Sequence, residues 1–258
     1  LVTEGDYGTS PASATLVSKC LDLTGMTNPV LQFRHHMFGA DIGAIRVQWI
    51  KDGENDWTNP MTPYTTTLTD EKDNWSFYEV DLSSQAGKTV KLRFIAQKSG
   101  FGIGADIGFD DIAIFDKTNV DVGVDHIIAP GARINLVGGP AGKKVEVKLR
   151  NFGKNSQSNI PISYTVTPTC GVNAGVSTTY TYTSSTAVSA GTMGNAIDNT
   201  NTVAWPTGSF EIFAWTTKSG DSHGWNDSSY TTSAGWPELY IQSGFVEDFE
   251  SCAAGDTS

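Results

Sequence analysis

The sequence predicts an all-β protein built from two β-sandwich domains. Short runs in which apolar and polar residues alternate recur along the 258 residues, and turns rich in Gly, Ser and Asn separate them. A period of two is typical of strands that bury one face, and no long stretch keeps the 3.6-residue spacing of an amphipathic helix. Many short strands at regular intervals favour a sandwich or a barrel.

The first half of the chain contains six candidate strands. In one of them Val90, Leu92 and Phe94 point to one side and Lys91 and Arg93 to the other, so we expect this strand to have one wet face. The six predicted strands cover residues 14–18, 30–38, 44–50, 75–81, 90–97 and 107–115.

The last of these strands is the most informative, because two adjacent carboxylates, Asp110 and Asp111, interrupt an otherwise apolar run. Strict alternation would place Asp111 on one face with Phe109 and Phe115, and Asp110 on the other. Burying an isolated carboxylate is costly. We therefore expect these two side chains to reach water, a basic side chain or a metal ion.

The second half of the chain changes in character near Lys117. In residues 143–151, Val145, Val147 and Leu149 alternate with charged residues. About seven such strands over about 110 residues predict an immunoglobulin-like sandwich. The predicted strands cover residues 121–128, 143–151, 160–166, 177–183 and 209–216, and residues 184–206 are expected to form a long loop with room for a short strand.

Composition and motifs argue against several functions. The formal net charge is −11, and the 17 Lys and Arg residues are scattered, so a nucleic-acid-binding face is not expected. The sequence contains no run of about 18 apolar residues, so membrane insertion is not expected either. It also lacks H-E-x-x-H, G-x-S-x-G and P-loop motifs. We therefore predict that the chain is not an enzyme and assign no catalytic residue.

Two adjacent histidines, His35 and His36, suggest a zinc site at first sight. Successive residues of a strand point to opposite faces, so the two cannot easily bind one ion. We expect one of them to be a core residue and the other a surface residue.

Four segments, in this order along the chain, resemble the MAM domain. They are residues 31–50 (LQFRHHMFGADIGAIRVQWI), 75–82 (WSFYEVDL), 90–96 (VKLRFIA) and 106–112 (DIGFDDI). The resemblance implies an extracellular jelly-roll module made of two antiparallel sheets. The family's opening strand, which contains Asp-Phe-Glu followed by a cysteine, is missing before Leu1. A matching run, DFESC, occupies residues 248–252.

The resemblance also implies sites. Members of the family can hold a structural calcium ion, and the corresponding residues here are Asp110, Asp111 and Glu250. The alternative is a pair of carboxylates that are solvated or paired with Lys or Arg. If the C-terminal strand docks as in the family, Cys252 approaches Cys20, which predicts a Cys20–Cys252 disulfide with Cys170 free.

The second half of the chain is similar, more loosely, to the immunoglobulin-like modules that alternate with such domains in secreted bacterial adhesins. The shared features are Asn151-Phe152-Gly153, Ala214-Trp215, Gly220-Asp221 and Asn226-Asp227. We therefore predict a MAM-like jelly roll over residues 1–117, an immunoglobulin-like sandwich over 118–232, and a linker with the first strand of a following MAM-like repeat over 233–258.

This order suggests a segment of a longer, repetitive protein at the bacterial cell surface. A jelly roll without its edge strand exposes backbone groups. Residues 245–250 could fill that place in their own chain or in another copy of the protein, and the alternative is a frayed tail.

Two functions therefore remain open from the sequence. The first is a non-catalytic adhesin segment that acts through its β-sandwich modules. The second is a carbohydrate-binding accessory module of a secreted hydrolase, in which Trp57, Trp75 and Tyr64 form a platform for sugar rings, including cell-surface glycans. The alternative for these aromatic residues is core or rim packing.

Overall fold

The computed structural model describes residues 2–3, 13–70, 75–99, 104–135, 142–171 and 173–236. The chain divides into two compact units, residues 1–117 and 118–258. Each unit is built from β-sheets, with a single 3₁₀ turn at Ser83–Gln85 in the described parts. The all-β prediction is confirmed.

The first unit consists of two sheets. Its strands are β1 (Val2–Thr3), β2 (Ser13–Val17), β3 (Leu21–Asp22), β4 (Pro29–Phe38), β5 (Ile42–Lys51), β6 (Ser76–Asp81), β7 (Thr89–Lys98) and β8 (Asp106–Asp116). One sheet, which we call the β4 sheet, has the order β1-β8-β4-β6. In the other, the β7 sheet, β2 and β3 pair with one edge of β7 and β5 with the other. All the pairings within these two sheets are antiparallel.

Alternation along the strands produces the core between these sheets. In β7 the buried apolar residues are Val90, Leu92, Phe94 and Ala96, and the residues between them face outward. The ten residues of β4 are more apolar than a strand with one wet face requires, and seven of them are buried. Burial of one face of each sheet against the other is the main driving force for this arrangement.

A β-bulge in β8 changes the predicted faces of that strand. Gln32 lies opposite Ala113, whereas Arg34 lies opposite Asp110, so β8 has one extra residue at this point. The backbone of Asp111 has a φ of 50°, a conformation that Asp adopts more readily than most residues.

The bulge makes the expectation of strict alternation wrong beyond Phe109. Phe109 contacts the core, but it is Ile114, rather than Phe115, that packs against the same cluster further along the strand. Asp110 and Asp111 are consecutive and are both exposed. A sequence read with a fixed period of two cannot show such a shift of register.

The second unit has a five-stranded and a three-stranded sheet. Its strands are β9 (Val122–Ala129), β10 (Arg133–Asn135), β11 (Glu146–Asn151), β12 (Ile160–Pro168), β13 (Thr178–Ser184), β14 (Met193–Ile197), β15 (Gly208–Thr216) and β16 (Ser228–Trp236). The β12 sheet has the order β10-β16-β15-β12-β13, and the β11 sheet has the order β14-β11-β9.

Two of these strands were not predicted from the sequence. β10 is short and pairs in parallel with β16, and β16 runs to Trp236, past the predicted end of the domain at residue 232. The expected loop at 184–206 does contain a short strand, β14. The core of the unit lies between the sheets, where Tyr164 is fully buried and donates a 2.6 Å hydrogen bond to Asp198.

The turn after β11 is held by the fully buried side chain of Asn151. Its Nδ2 donates to the backbone oxygens of Asn155 and Val188, both at 2.8 Å, and its Oδ1 accepts from the backbone N–H of Gly153 at 2.9 Å. This is the structural basis of the Asn-Phe-Gly motif: the amide adds a hydrogen bond to each of three backbone groups and so joins the turn to the segments that contain Asn155 and Val188.

Asn151→Ala is expected to destabilise the second unit by about 2–4 kcal/mol, because three hydrogen bonds between the buried amide and the backbone are lost. Urea unfolding followed by fluorescence and circular dichroism measures this loss. Asn155→Ala is the matched control, since Asn155 contributes its backbone oxygen, and it should unfold nearly as the unaltered chain does. Equal stability of the two variants would contradict this account of the turn.

Candidate functional site

Asp110 and Asp111 lie side by side at the bulge of β8. The backbone N–H of Asp111 donates to Oδ1 of Asp110 at 2.9 Å. Nε of Arg34 lies 3.4 Å from Oδ2 of Asp111, whose side chain is 67% exposed. For Asp111 the structure therefore shows a basic partner and solvent, which is one of the alternatives that the sequence left open.

These two carboxylates are not by themselves a calcium site. Calcium takes six to eight oxygen ligands. Within the described ranges, no group of three or more His, Cys, Asp or Glu side chains is placed to hold a metal ion. Glu250, the third predicted ligand, lies outside those ranges, so calcium binding stays a prediction.

The cysteines differ from the prediction. Cys20 is exposed with a free thiol, and Cys170 is disulfide-bonded. The predicted Cys20–Cys252 disulfide, with Cys170 free, is therefore wrong. That pairing assumed that the C-terminal strand docks beside Cys20, and the spacing of cysteines along a sequence does not determine which pair forms. Cys252 itself lies outside the described residues.

Two of the three aromatic residues predicted to bind sugars pack against other side chains. Trp75 lies on the outer face of the β4 sheet, where its ring centroid is 5.6 Å from that of His36. Tyr64 packs against the core of the first unit, with its ring centroid 4.5 Å from that of His35.

Trp57 lies elsewhere, on the outer face of the β7 sheet. Its ring faces the guanidinium of Arg93 at 4.3 Å, and Arg93 Nε donates to Gln48. Gln48 in turn donates to Asn59 at 2.6 Å. A groove of about 160 Å³ beside Trp57 is lined in part by Lys51, Glu54 and Lys91. Trp57, Trp75 and Tyr64 therefore do not form one platform.

One end of the second unit holds a cluster of acidic side chains around His223. The fully buried Asp121 accepts from Nδ2 of Asn226 at 2.9 Å, and its other oxygen is 2.7 Å from Nδ1 of His223. Asp221 accepts from the backbone N–H of Val122 at 2.7 Å. These bonds tie the β15–β16 loop to the start of β9, which gives the Gly-Asp and Asn-Asp motifs a structural role.

The electrostatics of this cluster disfavour full ionisation. Burial raises the pKa of Asp121, and burial together with the charge of Asp221 raises the pKa of Asp227 to about 6. Because these pKa values are higher in the folded state, ionisation at neutral pH reduces the stability of this end of the unit.

The outer face of the β12 sheet carries an aromatic surface that sequence reasoning missed. Phe213 is 44% exposed and lies 5.3 Å, centroid to centroid, from Trp215. Tyr230 lies directly opposite Phe213 on the neighbouring strand and is 75% exposed. Hydroxyl side chains of β12, β13 and β16 complete two rows across the sheet. We call these rows the Tyr230 face: Tyr230, Phe213, Thr165 and Thr179 in one, and Ser228, Trp215, Ser163 and Thr181 in the other.

Part of this signal was present in the sequence. The strand at 209–216 was predicted, and its apolar residues occur at consecutive positions, Ile212 to Trp215, so both faces had to be apolar. The strand that carries Tyr230 was not predicted, so its placement beside Phe213 could not be inferred.

His35 is a core residue of the first unit. It is 2% exposed, and neither ring nitrogen has a hydrogen-bond partner among the described residues. Burial, with a smaller effect of His36, lowers the pKa of His35 to about 4. The expectation of one core histidine is confirmed for His35, whereas His36 is half-buried.

Residues 1–119 match the family model of the MAM domain, meprin/A5/mu. The first unit is therefore similar to MAM domains, which supports the resemblance drawn from its motifs. No curated protein matches the chain. In the described part of the chain, none of the helical structure is long and apolar enough to cross a membrane.

Several solved structures of glycoside hydrolases are similar to the chain at low identity. The beta-glucuronidase of Bacteroides uniformis is 10% identical, with 90% of this chain and 27% of that chain covered and a TM-score of 0.41. The Endo-D glycoside hydrolase domain of Streptococcus pneumoniae R6 is 17% identical, with 90% and 32% covered and a TM-score of 0.31. The exo-chitosanase of Amycolatopsis orientalis is 12% identical, with 84% and 25% covered and a TM-score of 0.36.

The chain thus spans about a third or less of the length of these enzymes. Because the identities and TM-scores are low, no function is transferred from them.

The buried His35 predicts a pH dependence of stability. A histidine whose pKa is lower in the folded state favours unfolding as the pH falls below 6.5, because the unfolded chain takes up the proton first. The loss should reach roughly 3 kcal/mol by about pH 4 and then level off. The free energy of unfolding of His35→Phe should therefore fall less steeply with decreasing pH over this range than that of the unaltered chain. Chemical unfolding at a series of pH values measures both. His36→Phe is the control and should keep most of the slope. A similar slope in the unaltered chain and His35→Phe would show that His35 does not titrate in this way.

Proposed function

We propose that this chain is a non-catalytic segment of a long extracellular or bacterial cell-surface protein, in which β-sandwich modules mediate adhesion or build a filament. The observation that carries the proposal is the MAM match of residues 1–119, followed in the same chain by a second β-sandwich. MAM domains occur in extracellular proteins. No residue is assigned a catalytic role.

The proposal treats the second unit as an immunoglobulin-like module of a surface adhesin. Support comes from its sheets of five and three strands, packed around one core. Two of the motifs shared with such modules tie loops to strands here: Asn151 donates to Asn155 and Val188, and Asn226 donates to Asp121. Their role in this unit is therefore the shape and stability of a spacer rather than chemistry.

The proposed contact between copies is made by residues 245–250, which lie outside the described residues. At the edge of the β4 sheet, Val2 and Thr3 pair with Gly108 and Ile107 in antiparallel register. Because β1 spans only two residues, we propose that a donated strand pairs along the remainder of this edge. A strand donated by a neighbouring copy would make a head-to-tail contact that propagates into a filament.

A second candidate function is a carbohydrate-binding accessory module of a secreted hydrolase. The observation that favours it is the presence of aromatic rings on two separate outer faces, one with the half-buried Trp57 and one with the exposed Phe213 and Tyr230. Aromatic faces suit the apolar faces of sugar rings. In the adhesin proposal, the same surfaces would contact cell-surface glycans.

The adhesin proposal predicts self-association through the C-terminal segment. Sedimentation velocity of residues 1–258, in a Cys20→Ser background that prevents cross-linking through the exposed thiol, should show a mass that rises with concentration. Phe245→Ser with Phe249→Ser should reduce the chain to a monomer, because the donated strand loses its apolar face. Gln242→Ser with Thr257→Ser is the control and should associate normally. A monomer at all concentrations, or association that survives the loss of both Phe residues, would contradict the contact.

The calcium proposal predicts a metal-dependent stability of the first unit. Calcium at 100 times its dissociation constant should stabilise the folded chain by about 2.7 kcal/mol relative to a chelator, measured by thermal unfolding. Asp110→Asn and Asp111→Asn should remove this gain, whereas Asp56→Asn, a change at an exposed residue, should not. Identical unfolding temperatures with calcium and with chelator would contradict calcium binding at these two carboxylates.

A further inference from the structure

We propose that the Tyr230 face binds a neutral polysaccharide chain. The inference concerns the second unit and deepens the carbohydrate-binding candidate. It requires neither the self-association proposed for the C-terminal segment nor any sugar site in the first unit.

The face is a flat array set by the register of four neighbouring strands. Tyr230 lies opposite Phe213, which lies opposite Thr165, which lies opposite Thr179. The adjacent row repeats this order two residues along each strand and contains Trp215. Each row crosses three interstrand spacings, about 14 Å. The three rings therefore lie on β15 and β16, and the Ser and Thr hydroxyl groups of β12 and β13 lie at the other end of each row, with Ser228 beside Trp215 at the aromatic end.

Large aromatic rings are unusual on the solvent-facing side of strands whose other side already supplies the core. The inward residues of β15, Phe210, Ile212 and Ala214, already fill the core of the unit. Phe213 and Tyr230 add large apolar surfaces on the solvent side of two adjacent strands. Contiguous exposed apolar surface of this kind marks a binding site more often than an isolated exposed residue does.

Charge restricts the ligand that this face can take. The eight side chains of the Tyr230 face include no carboxylate, amine or guanidinium. The nearest charged position in the same strand array is Glu211, in the next row between Thr232 and Thr167. The face therefore offers no cation to pair with phosphate, sulfate or uronate groups. It also offers no acidic cluster for a basic peptide, so an uncharged ligand fits it best.

The remaining chemistry distinguishes a sugar from a protein. Ser and Thr hydroxyls both donate and accept hydrogen bonds, as the hydroxyls of a neutral sugar do. Aromatic rings provide apolar faces for the C–H face of a pyranose. Protein interfaces are also enriched in Tyr, Trp and Phe, but they are depleted in Ser, so it is the hydroxyl part of this face that favours a sugar. A surface made of three rings and five hydroxyl side chains is therefore better suited to a polysaccharide than to a second copy of the chain.

The test is retention of residues 1–258 by neutral polysaccharides. Depletion by insoluble cellulose and chitin, and affinity electrophoresis in gels containing xylan or mixed-linkage glucan, supply the probes, and polygalacturonate is the anionic comparator. We expect retention on at least one neutral polymer and none on the anionic one. Retention should be nearly unchanged in about 0.5 M NaCl, because screening affects charged contacts.

Variants locate the binding surface. Tyr230→Ala and Phe213→Ala should each weaken binding by roughly tenfold, the effect of losing one stacked ring. Phe213→Tyr, which keeps a ring, should bind within a few-fold of the unaltered chain. Trp225→Ala removes an aromatic side chain that is 54% exposed and lies outside the two rows, so it should bind normally. Circular dichroism and unfolding temperature confirm that each variant is folded.

Three outcomes would overturn the inference. The first is no retention on any neutral polymer. The second is retention that survives Tyr230→Ala and Phe213→Ala but is lost in Trp57→Ala, which would keep the carbohydrate-binding candidate and move its site to the first unit. The third is a loss of self-association in Tyr230→Ala, which would make the face a protein contact. The Phe245→Ser, Phe249→Ser chain should still bind the polymer, so failure of the adhesin proposal is distinguishable from failure of this one.

Discussion

The contact between Phe33 and Phe94 joins the two sheets of the first unit, and much of that unit is arranged around it. Their rings meet edge to face at a centroid distance of 5.3 Å, one from β4 and the other from β7. Phe33 also contacts Tyr78 and Phe109 from the strands on either side of β4. Truncating such a buried ring typically costs roughly 3–5 kcal/mol, a large part of the stability of one domain. The extra residue of the β8 bulge lies opposite Phe33, so the irregularity that exposes both carboxylates is placed at the centre of the sheet rather than at its end.

The same rule of alternation explains why the two units offer different surfaces. A sandwich strand needs only every second side chain for its core, and the others are available for other roles. In β7 and β5 these outward positions hold Lys91, Arg93 and Gln48, which make a polar surface next to Trp57. In β15 they include two aromatic residues, Phe213 and Trp215. The architecture is therefore similar in both units, whereas the chemistry of their wet faces is not.

Much of the fold could be predicted from the sequence, because alternation is a local property. The six strands predicted in the first half all exist, with ends within two residues of those observed. The bulge and the parallel β10 could not be predicted, since each depends on pairing with a distant segment, and β16 (SSYTTSAGW) could not because its residues do not alternate between apolar and polar. The candidate sites were harder to predict than the strands, because a site depends on which residues of different strands come together. Trp57, Trp75 and Tyr64 share a residue type but not a surface, and sequence alone did not place Tyr230 beside Phe213.

The packing of Trp75 on the outer face of the β4 sheet has an evolutionary consequence. A Cβ atom added at Gly108 would lie 2.6 Å from Cη2 of Trp75, so the indole occupies the space that any other side chain would need. These two positions, 33 residues apart in the chain, are thereby coupled by volume. A residue larger than Gly at position 108 requires that the indole first move or be replaced by a smaller side chain, whereas a smaller residue at position 75 creates no clash, so the two changes have a favoured order.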